Sequence, residues 1–249
     1  MSTLPETRPS QFGADTLLAL RANPPRMGQW ANARRGELFS SRILLRPTGE
    51  FPRPRRAAVL RREQCITLDD WPEPEAWQPG DRLILGVEPD DEAAAARYVD
   101  WLLALAGAGG PPVGEDLRLG PASLAPFSNG AGGTHRLWLI AAARLALPST
   151  VRVEARHDLI GIRLAQVALG FGADTLAGPI EADRRLPVAG VTRPNEASIA
   201  GLRNLIEQAG LECALFEEAG PARLDTASHT VPIALTGRDR SRDDGDDNP

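Results

Sequence analysis

Apolar positions along this chain switch between two periods, and the switching sets the first expectation. From residue 82 onward, short runs of continuous or alternating apolar residues give way to longer stretches where apolar residues recur every three or four positions. 'RLILGVE' (82–88) predicts a strand. 'DDEAAAARYVDWLLALAGAGG' (90–110) predicts a helix, with an acidic first turn as its start signal and glycines as its stop. 'ASLAPF' (122–127) predicts a second strand, and 'THRLWLIAAARLALP' (134–148) a second helix with Thr134 as N-cap and Pro148 past the stop. In 'TVRVEAR' (150–156), Val151, Val153 and Ala155 alternate with Arg152, Glu154 and Arg156, which describes a strand with one apolar and one charged face. 'GIRLAQVALGFGADTLAG' (161–178) supplies a helix over 159–171 and a strand over 173–177. On that helix Leu164, Val167, Ala168 and Phe171 are expected to pack inward, with Arg163, Gln166 and Gly170 on the exposed stripe. 'NEASIAGLRNLIEQAG' (195–210) predicts an amphipathic helix with Ile199, Leu202 and Ile206 on one face, followed by a strand in 'ECALFE' (212–217).

Strands alternating with helices of this length indicate parallel βα units. The expected fold class is α/β, a partial or degenerate (β/α) barrel of the TIM type, with its repeats over 81–220. Upstream the pattern weakens. Residues 1–13 read as a flexible arm and 14–80 as a divergent N-terminal section, in which 'ADTLLALRA' (14–22) suggests a helix and 'SRILLRP' (41–47) and 'RAAVLRR' (56–62) suggest strands. The proline-bearing 'WPEPEAWQPGD' (71–81) marks a loop between that section and the repeats. The pattern leaves open whether 14–80 completes the barrel. 'TGRDRSRDDGDDNP' (236–249) lacks large apolar residues and reads as a disordered tail.

Charge narrows the class. The net charge is −5 and every basic residue is an arginine, a balance that argues against a general nucleic-acid binder. The clusters 'RPRR' (53–56) and 'LRRE' (60–63) read as solvated surface. No apolar run approaches the ~18 residues that cross a bilayer, and the N-terminus shows no secretory signal. The expectation is a cytoplasmic protein with no nucleic-acid or membrane partner. Cys65 and Cys213 give neither a disulfide framework nor zinc spacing.

Candidate chemistry follows from the barrel expectation, because active sites of such barrels collect at the C-terminal ends of the strands. Glu88, Asn129, Arg156 and Asp174 are expected near such ends, and Glu154 with Arg156 on the inner face of its strand; these five are the candidate substrate-binding residues. The charged face of 150–156 has two readings. It lines a polar cavity for a carboxylated or nucleoside-like substrate, or it carries ordinary salt bridges on a solvated sheet face. His157, at a strand end, is the candidate for proton transfer, while His135 is expected to be exposed in a first helical turn and His229 lies in a weakly patterned section. 'SNGAGG' (128–133) precedes a helix but lacks the lysine and spacing of a P-loop, so it reads as a strand-to-helix turn.

The stretch 161–178, with 'LIAAARLALP' before it and 'VAGVTRPNEASIAGLRNLIEQAG' after it, resembles the C-terminal half of one radical-SAM group. That group comprises aminofutalosine synthase and dehypoxanthine futalosine cyclase of menaquinone biosynthesis, and the related deazaflavin synthase subunits. Its typical string is close to G-x-x-L-A-Q-x-A-L-x-F-G-A-D/N-D-L-D-G-T. Gly161, Leu164, Ala165, Gln166, Ala168, Leu169, Phe171, Gly172, Ala173, Asp174, Leu176 and Gly178 match it. The resemblance spans roughly 82–217 and is specific over 137–210. It implies a barrel and, in the family, a [4Fe–4S] cluster held by three cysteines in a C-x-x-x-C-x-x-C run. This chain has two cysteines and no such run, so no cluster and no cofactor are expected from it alone. Thr175, Pro179 and Pro187 also stand where the family has polar residues, and the family's G-H-x-E strand end reads Leu85-Gly86-Val87-Glu88, without the histidine. The expectation is a cluster-free paralogue tied to futalosine-type menaquinone synthesis, as partner to a radical-SAM enzyme subunit or as binder of a nucleoside-like small molecule. The alternative is an enzyme using non-radical acid–base chemistry through Glu88, Glu154 or His157. The sequence leaves open whether the chain is an enzyme at all.

Overall fold

The computed structural model describes residues 12–48, 63–66, 81–87, 92–107, 122–128, 131–179 and 197–215. The chain enters through helix α1 (Ala14–Ala19) and a 3-10 turn (Leu20–Ala22). Helix α2 (Pro24–Phe39) follows, and apolar period did not announce it. Its start is set by local chemistry: the Asn23 side chain accepts the Arg26 N–H, and Pro24 occupies the first turn, where a missing N–H costs nothing.

The remaining elements alternate. They are strands β1 (Arg42–Thr48), β2 (Glu63–Ile66) and β3 (Arg82–Gly86), helix α3 (Glu92–Gly107), strand β4 (Ala122–Phe127), helix α4 (Gly133–Ala146) and strand β5 (Val151–Arg156). The short helix α5 (His157–Ile160), helix α6 (Ile162–Leu169), strand β6 (Thr175–Pro179), helix α7 (Ile199–Gln208) and strand β7 (Glu212–Leu215) complete the series. The seven strands among the described residues run parallel in one sheet of order β2-β3-β4-β5-β6-β1-β7. From β2 to β6, successive strands are neighbours, as in a (β/α) barrel. β1 departs from that rule by lying between β6 and β7. The fold is an α/β partial barrel with this one displacement. Residues on both sides of 71–81 contribute strands to the same sheet.

Register assigns the faces. Val151, Val153 and Ala155 point with Leu83, Leu85, Leu124, Leu176, Ile43 and Leu45 to one side, all nearly inaccessible to solvent. Helices cover that side: α4 packs on β4 and β5, α6 on β5 and β6, α7 on β7 and β1. The other face carries Arg82, Ser123, Glu154, Thr175, Arg156 and Arg46, and it is also buried.

Three sequence expectations change here. The helix expected over 159–171 is broken at Gly161, whose φ of 84° separates α5 from α6. The buried face of α6 is Ile162, Ala165, Ala168 and Leu169, whereas Val167 is 48% exposed. Gln166 is not a solvated stripe residue, because its Nε2 donates to the Leu205 carbonyl of α7 at 3.1 Å. The expected strand in 56–62, residues 1–11 of the arm expected over 1–13, and the tail over 236–249 lie outside the described residues.

Candidate functional site

The inner face of the sheet converges on Glu154. Arg82 of β3 donates from Nε to Oε1 (3.1 Å) and from Nη2 to Oε2 (2.7 Å), a bidentate fork. Ser123 of β4 donates its hydroxyl to Oε1 at 2.6 Å. Arg46 of β1 donates from Nη1 to Glu154 Oε1 (3.3 Å) and to Ser123 Oγ (3.1 Å). All four side chains are buried. Burial alone would raise the Glu154 carboxyl, but Arg82 and Arg46, helped by the Arg82 and Ser123 hydrogen bonds, outweigh it and lower its pKa to about 2.

The Arg46 contact also measures curvature. β1 and β4 stand three places apart, and Arg46 lies four residues further along the register than Ser123. In a flat sheet those offsets would be about 14 Å across and about 13 Å along, out of reach of any side chain. The contact exists because the sheet curls around this face. Such curling is the barrel's geometry even though the strand order is irregular.

Arg156 ends β5, level with Arg46 through their shared partner Ala177, and is 7% exposed. Its Nε and Nη2 donate to Asp158 at 3.1 and 2.7 Å. Glu88 and Asn129 follow the ends of β3 and β4 and lie outside the described residues.

Asp174 corrects an expectation. β6 begins at Thr175, so Asp174 precedes its strand and lies at the N-terminal end of the sheet, opposite to the end expected. It is fully buried. Arg144 of α4 donates to its Oδ2 at 2.7 Å, the Val153 N–H to the same oxygen at 3.0 Å, and Arg152 and the Thr175 hydroxyl to Oδ1 at 3.4 and 3.1 Å. The guanidinium groups of Arg144 and Arg152 lie over the Phe39 ring of α2. Asp174 therefore ties α4, β5 and β6 together, with α2 stacked against the knot. Burial lowers the pKa of Arg144 and Asp174 opposes that shift.

The histidines also move. His157 is fully buried, and its ring lies so close to Gly178 that a Cβ there would collide with Nε2. His135 is half-buried beside Trp138 rather than exposed. Sequence reasoning placed Glu154 and Arg156 on the inner face and missed Arg46, Arg82 and Ser123. The signal available was parity: each occupies an inward position of its own strand. Among the described residues, no group of three or more His, Cys, Asp or Glu could hold a metal ion. Cys65 lies on β2 and Cys213 on β7, the two outer strands. Burial pushes the Cys213 thiol above its ordinary pKa, against the pull of Arg203.

No protein-family model matches the chain, and the search of curated proteins finds no match either. Among solved structures the chain is similar to methylornithine synthase, at 14% identity and a TM-score of 0.46, over 82% of this chain and 94% of that one. Overlap of that depth carries no argument about activity. Among the described residues, no helix is long and apolar enough to cross a membrane.

Proposed function

We propose that the chain is a cluster-free, radical-SAM-like paralogue tied to futalosine-type menaquinone biosynthesis. In this reading the enclosed face of its sheet binds a nucleoside-like or carboxylated small molecule, alone or beside a radical-SAM partner subunit. The carrying observation is the curled inner face on which Arg46 and Arg82 share one carboxylate, with Arg156 at the C-terminal end. Guanidinium groups held rigidly in a buried space suit recognition of a carboxylate or of polar base edges.

The resemblance also implies an iron–sulfur cluster, and the donor set does not fit one. A cluster needs converging thiolates; the two cysteines of this chain sit on the outer strands β2 and β7. Binding therefore supports the reading better than radical chemistry by this chain. Acid–base catalysis is weakened as well. A Glu154 carboxyl lowered to about 2 stays ionised at neutral pH and has no proton to give. His157 packs against Gly178 on the helix-covered side.

Calorimetric titration of the full chain with aminofutalosine and dehypoxanthine futalosine tests the reading. Binding of at least one is expected, weakened at least tenfold by Arg156→Gln without loss of melting temperature. No binding of either ligand overturns the small-molecule reading. In parallel, anaerobic iron–sulfide reconstitution should load no stoichiometric cluster; a loaded four-iron cluster overturns the cluster-free assignment.

A further inference from the structure

A second concavity lies outside the sheet, in the helical layer. The end of α1 and the turn after it cross the first turns of α3 and α4, leaving an open groove of about 540 Å³ lined by Leu18, Arg21, Glu92, Thr134, His135 and Trp138, among others. That volume falls within the roughly 300–1,000 Å³ of small-molecule pockets. Its floor is rigid. Trp138 is 1% exposed, its indole N–H donates to the Leu17 carbonyl at 2.9 Å, and its ring contacts Tyr98 edge-on.

The two charges at the groove are uncommitted. The Arg21 guanidinium lies 5.2 Å from the centre of the Trp138 ring and makes no hydrogen bond or ion pair among the described residues. A stacked guanidinium keeps its N–H edge available to a carboxylate. Glu92, the first residue of α3, is exposed and likewise has no described partner. Arg21 and Glu92 belong to different elements and do not pair with each other. Leu18, Ala19, Ala22 and Trp138 supply apolar lining to the same groove, and Thr134 and His135 supply polar lining. A ligand complementary to this lining carries a carboxylate for Arg21, an ammonium for Glu92 and an apolar body.

We propose that this groove is a second binding site, for a small zwitterion with separated carboxylate and ammonium groups. The site is distinct from the sheet interior, since its lining shares no residue with the Glu154 cluster.

The test titrates the full chain with 6-aminohexanoate, and with hexanoate and hexylamine as single-charge probes, following the Trp138 indole N–H resonance. The expected result is that 6-aminohexanoate shifts that resonance and binds at least tenfold more tightly than either probe. Arg21→Gln should reduce its affinity to that of hexylamine, and Glu92→Gln to that of hexanoate. Thermal melts of both variants check folding, and Glu92→Gln, at an exposed position, keeps the test decisive if Arg21→Gln fails to fold. Equal binding of the three probes, or an unmoved Trp138 resonance, overturns the proposal. Neither result bears on the sheet interior, which is read with other ligands and another variant.

Discussion

At Glu154, burial and charge pull in opposite directions, and the arginines prevail. The folded carboxyl, at about 2, lies below its ordinary value of 4.5. A group shifted in that direction stabilises the fold fully above pH ~4.5 and loses the contribution as pH falls towards 2; the shift corresponds to roughly 3 kcal/mol. Glu154→Gln should therefore destabilise the protein by about 3–5 kcal/mol at neutral pH, because two buried guanidinium groups lose their counter-charge. Urea midpoints of wild type and variant should converge between pH 5 and pH 2. A gap that stays constant across that range would show that Glu154 is not the titrating group. Gly172 is constrained in another way. Its φ is 93°, and a Cβ would stand 2.9 Å from Ala31 Cβ and from Arg144 Cβ and Cγ. Gly172→Ala should cost about 2–4 kcal/mol by backbone strain and overpacking, read from the same denaturant midpoints.

Among the elements, the α5–α6–β6 unit shows what the family-like string encodes. Gly161 breaks the helix, Ala165, Ala168 and Leu169 form its buried face, and Gln166 links it to α7. Phe171 packs on α2 where a Cβ at Gly28 would meet its ring at 3.1 Å. Gly172 permits close approach of α2 and α4, Asp174 anchors the knot of arginines, and Gly178 makes room for His157. Most of the matched residues thus serve packing, so the string testifies to a fold more than to a chemistry. Ala168→Asp should abolish soluble expression by burying an unpaired charge. Val167→Asp, on the exposed side, should change stability by less than about 0.5 kcal/mol. Equal yields of the two proteins would show that the face of α6 is misassigned.

For the whole molecule, the position of β1 matters most. It pairs with β6 on one side and β7 on the other, so it joins the last strand to the sheet. Removing residues 1–80 deletes β1 and β2, strips β7 of its partner and takes Arg46 from Glu154. The fragment 81–249 should be insoluble or aggregate, since strand edges and apolar surface lose their cover. Size-exclusion chromatography of whatever is soluble checks this; a monodisperse monomer would mean that five strands suffice.

Much of the architecture was legible in the sequence because periodicity is local. Residues 122–127 form the strand that their pattern predicted, and the alternation in 151–156 assigned the two faces of β5 correctly. The inner-face position of Glu154 followed from that alternation alone. Its partners did not, because Arg82 and Arg46 lie 72 and 108 residues away in sequence. Only the order of the strands and the curl of the sheet bring them together. The same holds for Asp174: its place at the start of β6 puts it at the N-terminal end of the sheet, and its pairing with Arg144 needs α4 already packed over β5. Helix α2 was hidden for a different reason: an N-cap and a proline begin it, but its packing on α4 holds it, and a contact between distant elements leaves no period in the sequence.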